Sequence, residues 1–88
     1  YRRLYVAWLI DTQRASNVPA LTEVTGMPRR TAQDTLAALA DLDILCEFEQ
    51  EDGARNHAGR YVIRSWGPID KSWVARHVEQ IKQVLNYP

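Results

Sequence analysis

The chain's 88 residues suffice for one domain, expected over residues 1–88, with one modest core. Hydrophobic residues at 45% and charged residues at 25% are ordinary for a water-soluble protein, and no apolar run approaches the roughly 20 residues of a membrane span, so no membrane association is expected. Eleven Lys plus Arg against eleven Asp plus Glu give zero net charge, which argues against strong nonspecific binding to nucleic acid.

The opening YRRLYVAWLIDTQR has too short an apolar run for a signal peptide. It is followed by Asp11 and Arg14 rather than a small-residue cleavage site. It reads as a helix over residues 2–15, with Leu4, Tyr5, Trp8 and Leu9 forming one apolar stripe and Arg2, Arg3, Asp11 and Gln13 mostly off it. Trp8 and Tyr5 are expected to anchor the helical core. The first residue is Tyr1 rather than an initiator Met, as in a trimmed chain or one domain of a longer protein.

Ser16 and Asn17 break the pattern, and Pro19 suits the first turn of a second helix over 19–25, with Leu21 and Val24 inward. Gly26 ends it, being free to take positive φ just past a helix end. Pro28 restarts a helix over 28–42, with Ala32, Leu36, Leu39 and Ala40 toward the core. From Ile44 the period changes. Residues 45–50 partly alternate as a half-buried strand, 51–59 read as a turn, and 60–64 return as the second strand of a hairpin. Trp66, Gly67 and Pro68 mark a corner; Asp70 then caps a last helix over 71–86, whose stripe runs through Trp73 or Val74, His77 or Val78, Ile81, and Val84 or Leu85.

Helix, turn at Gly26 and Met27, then a helix that is polar at its start is the layout of a helix-turn-helix, whose second helix enters the DNA major groove. With Ala32, Leu36 and Leu39 inward, Arg29, Arg30, Gln33, Asp34 and Ala37 face outward. An Arg suits guanine O6/N7 and Gln33 suits adenine N6/N7 in bidentate pairs, while Thr31 and Thr35 can donate to phosphate or cap locally. The bland alternative is that Arg29 and Arg30 are solvated and Asp34 pairs with Arg30 at i,i+4. Arg2 and Arg3 are either a third phosphate contact or a solvated helix end, the second being simpler. No base separates Arg30 from Arg55, and no acid separates Arg55, His57, Arg60 and Arg64 from Asp70, so the bases form two groups expected on one side of the fold.

The stretch from Leu21 to Leu45 and its hairpin resemble the bacterial winged helix-turn-helix transcription regulators over about residues 2–65, through Leu21, Val24, Gly26, Met27, Ala32, Leu36, Leu39 and Leu45. The resemblance implies a mainly α fold with a small β-hairpin: a three-helix core, a β wing and an extra C-terminal helix. It implies sequence-specific binding of double-stranded DNA, with regulation by operator occupancy. The wing, with Arg55, Asn56, His57 and Arg60, would reach the backbone or minor groove, although Glu51 and Asp52 at its entrance would repel phosphate. The last helix would pair two copies through Trp73, His77, Ile81 and Leu85, or would pack on residues 2–15 of its own chain. A homodimer would present two recognition helices to half-sites about one DNA turn apart.

Catalysis finds little support. His57 and His77 fall on different elements, neither sits at metal-ligand spacing with Cys46, and there is no phosphate loop or nucleophile elbow. No metal or cofactor is expected. The single Cys46 reads as a small buried hydrophobe, and a cytoplasmic setting is the default. The main rival function is a winged helix kept for protein–protein interaction without DNA affinity, which zero net charge and the acids at 41–52 favour. A small-molecule sensor would need a pocket between subunits.

Overall fold

The first helix, α1 (Arg2–Asp11), is sealed on several faces at once. In the computed structural model, which describes residues 1–50 and 59–88, it touches α3, α4, α5 and strand β2. Val6, Ala7 and Ile10 are therefore buried together with Tyr5 and Leu9, and the expected single stripe is too narrow. Leu4 and Trp8 are only half-buried. Trp8 stacks on Tyr5 at 6.0 Å between ring centroids, and the Arg14 guanidinium lies over its indole at 4.8 Å. The helix ends at Asp11, short of the expected residue 15, because Gln13 takes positive φ and the N–H groups of Arg14 and Ala15 fold back onto the Leu9 carbonyl.

Helix α2 (Val18–Thr25) begins where the Asn17 side chain accepts from the Ala20 N–H at 2.8 Å, with Pro19 in the first turn. It ends at Gly26, whose φ of 77° is the left-handed conformation that glycine adopts without strain. Thr25 fastens the turn that follows. Its buried hydroxyl donates to the Leu21 carbonyl at 2.6 Å and accepts from the Met27 N–H at 3.1 Å. Met27 is thereby seated in the core.

Helix α3 (Arg29–Ala38) passes into a 3-10 turn, Leu39–Leu42. With three residues per turn, Leu36, Leu39 and Leu42 fall in line toward the core. Ala40 rotates outward and is exposed, against the expectation that it lines the core. The chain then reverses at Asp43, in the left-handed region at φ 59°.

Strands β1 (Leu45–Gln50) and β2 (Gly59–Ser65) pair antiparallel, with Cys46 opposite Ile63, Phe48 opposite Tyr61 and Glu49 opposite Arg60. Cys46, Tyr61 and Ile63 pack on the core, and the Tyr61 N–H donates to the Ser16 carbonyl at 2.7 Å, tying the hairpin to the loop after α1. Cys46 is half-buried rather than enclosed. The following corner folds tightly onto the Asp43 reversal: a Cβ at Gly67 would collide with the Asp43 carbonyl, and φ there is 58°. The Trp66 indole N–H donates to Asp11 at 3.2 Å.

The expected last helix is two helices, α4 (Lys71–Arg76) and α5 (Val78–Leu85), broken at His77. Asp70 caps the first, accepting from the N–H groups of Ser72 and Trp73. At the break the His77 ring stacks on Trp73 at 4.1 Å, and its Nδ1–H donates to the Trp73 carbonyl at 2.6 Å. Val74, Val78 and Ile81 turn toward α1 and the core, and Tyr87 packs against Tyr5. Ile81, 1% exposed, thus belongs to this chain's own core rather than to a surface facing a second copy. Leu85 also packs on that core.

Candidate nucleic-acid interface

The turn locked by Thr25 and Gly26 sets α3 against α2 and α1, with Ala32 and Leu36 beneath it. Its opposite side carries Arg29, Arg30, Gln33, Asp34 and Ala37, all exposed. Among the described residues no ion pair or side-chain hydrogen bond holds Arg29, Arg30, Gln33 or Asp34, and the i,i+4 pair between Arg30 and Asp34 is not formed. Pro28 occupies the N-cap position and supplies no side-chain cap. The N–H groups of the first turn are therefore not capped locally and, with the positive end of the helix dipole, favour an anion there. Thr31 is half-buried. Thr35 is buried and donates to the Thr31 carbonyl at 2.7 Å, so its hydroxyl proton is already committed within the helix.

The second basic group is arranged differently. Arg55, Asn56 and His57 lie outside the described residues. On the strands, Arg64 bridges two carboxylates, Nε to Glu47 at 3.4 Å and Nη2 to Glu49 at 2.8 Å. Those hydrogen bonds, Glu49's first, raise the guanidinium pKa above its ordinary value. Arg60 approaches Glu49 at 4.0 Å. It lines a depression with Asp11 and Gln13 at the C-terminal end of α1, whereas the Thr31–Ala38 side of α3 faces Arg2 and Arg3 at its start. The α1 helix separates these places by about 1.5 Å per residue. Arg60 and that side of α3 therefore line separate depressions, near opposite ends of α1.

No three of His, Cys, Asp and Glu gather in a metal-binding arrangement among the described residues, and no helix there is long and apolar enough to cross a membrane. Burial, then the neighbouring Glu47, raises the Cys46 thiol pKa, which disfavours a reactive thiolate. Sequence reading passed over Thr25. Its signal was present, a Thr one turn after Leu21 and just before the Gly, because a hydroxyl there can return to the i−4 carbonyl.

A three-helix core, a tight turn into an outward-facing polar helix, and a two-stranded hairpin define a winged helix-turn-helix domain, a fold that is typically non-enzymatic. The chain belongs to the winged helix-turn helix family, which it matches over residues 1–85. It is similar to the crystal structure of a DUF2131 family protein from Shewanella amazonensis SB2B, at TM-score 0.87 and 46% identity, over 99% of this chain and 82% of that one. No curated protein matches it.

Proposed function

We propose that this protein binds double-stranded DNA in a sequence-specific manner through α3 and regulates transcription in the bacterial cytoplasm by occupying an operator, as a homodimer and without catalysis. One observation carries the reading. Arg29, Arg30 and Gln33 are exposed together at the uncapped start of a helix held rigidly from behind, with no intramolecular partner among the described residues. Side chains that recognise base edges must be both free and fixed in register. Residues 1–88 act as one domain in this reading. Its dimer seam uses the outward side of α4, where Trp73 is 37% exposed and stacked on His77. Selection of bound sequences from a random duplex library tests it, since a two-fold consensus with half-sites one turn apart would report binding, register and dimer together.

A second reading, a protein-interaction domain without DNA affinity, is favoured by the Arg60 and Arg64 pairing with Glu47 and Glu49, which neutralises the wing's stem. That protein would show no salt-dependent retention on heparin or random DNA.

A further inference from the structure

The groove beside α3 carries charge that the helix-turn-helix geometry alone does not call for. Arg2 and Arg3, from the first turn of α1, line a surface groove of about 320 Å³ with Thr31, Asp34, Thr35 and Ala38 of α3. Positions 31, 34, 35 and 38 form one stripe along the helix, next to the exposed positions 29, 30 and 33. The first turn of α1 thus borders the base-reading side of α3. Arg2 and Arg3 are both exposed. Arg2 is steadied by a 3.3 Å hydrogen bond from its Nε to the Tyr87 hydroxyl, and Arg3 has no partner among the described residues.

Three other arginines are engaged within the chain. Arg60 and Arg64 face Glu49 and Glu47, and Arg14 lies on Trp8. Arg2 and Arg3 have only one carboxylate in their groove, Asp34, and it pairs with neither within 4.0 Å among the described residues. We propose that Arg2 and Arg3 form a phosphate clamp, gripping the DNA backbone at the edge of the major groove that α3 enters. The clamp rests on the DNA-binding reading above.

Asp34 decides which source of phosphate fits. Its carboxylate opposes a free anion, so the groove is poor for inorganic phosphate in solution. A backbone phosphate is delivered when α3 docks, at high effective concentration, and two guanidiniums then outweigh one carboxylate. Phosphate contacts fix register without carrying sequence information, so the clamp contributes affinity and orientation and leaves the consensus to α3.

The test compares the wild-type chain with Arg2→Gln/Arg3→Gln and Arg2→Lys/Arg3→Lys, using a duplex selected by the wild type. Thermal melting is followed in parallel, and both exposed double variants should melt with the wild type. Each neutralised phosphate contributes about 0.9 to the slope of log K against log salt, so the Gln variant's slope should be shallower by about 1.8. Its deficit relative to wild type should shrink about 12-fold between roughly 50 and 200 mM salt. The selected consensus should not change, and the Lys variant should keep most of the slope. If the wild type selects a site and the Gln variant binds it with the same slope, the clamp is wrong while the DNA reading stands. A changed consensus would mean that these arginines read bases, which also overturns it. If the wild type binds no duplex, the DNA reading fails and takes the clamp with it.

Discussion

Truncating Ile81 to Ala separates two roles that its sequence position allows, since an apolar residue in the last helix serves either this chain's core or a seam between copies. At 1% exposure, packed in the cluster with Tyr5, Leu9, Val74 and Val78, it serves the core. Deleting its outer carbons removes apolar burial and leaves a cavity, which for Ile→Ala costs about 2–5 kcal/mol. In a domain of this size each kcal/mol shifts Tm by about 4–8 °C, so Tm should fall by at least about 8 °C. Val84→Ala, on the same helix but at 61% exposure, should change stability by less than about 0.5 kcal/mol. Both should be measured by urea unfolding across a hundredfold range of protein concentration. A core residue lowers the midpoint equally throughout. If the Ile81→Ala loss vanishes at low concentration, where copies dissociate, and grows as concentration rises, Ile81 is on an interface and the packing described above is wrong.

Three further expectations follow from particular contacts. Thr25→Val keeps the shape but deletes a hydroxyl that both donates to Leu21 and accepts from Met27, leaving the Met27 N–H unpaired in the core. It should cost about 1–3 kcal/mol in urea unfolding, and no measurable loss would show that the hydroxyl does not fasten the turn. Gly67→Ala forces a Cβ into left-handed backbone and against the Asp43 carbonyl, so it should destabilise by more than about 1 kcal/mol. An unchanged melting curve would contradict that close approach. The thiol of Cys46, with its folded pKa raised, carries less thiolate at any pH below that value than it does in the unfolded chain. Alkylation at pH 8 should therefore be slower in the folded protein than in urea, and equal rates would refute the shift.

The helix order, the cap at Asp70, the Gly26 turn and the hairpin were legible because each rests on local chemistry: a short polar side chain before a helix, a glycine at positive φ, a change of period. What escaped was tertiary. The breadth of the α1 core face depends on how many neighbours surround it, and Leu4, Tyr5, Trp8 and Leu9 alone cannot announce them. Ala40 turned outward because the end of its helix tightened to a 3-10 turn, which apolar spacing does not reveal. The last helix breaks at His77, whose backbone leaves helical geometry at φ −111° and ψ 10°, although periodicity runs smoothly across it. The outward set Arg29, Arg30 and Gln33 was readable from the leucines behind it. The separation of Arg60 from the Thr31–Ala38 side of α3 was not, because it depends on which end of α1 each of them meets.

The proposal that the start of α3 reads DNA is tested most directly by Arg29→Ala/Arg30→Ala, measured against the wild type on a selected duplex over a salt series. Removing one bidentate arginine–base pair should cost about 1–3 kcal/mol of discrimination. The double variant should therefore melt like the wild type and lose its preference for the selected site over random sequence. Wild-type preference and salt dependence in that variant would contradict the account.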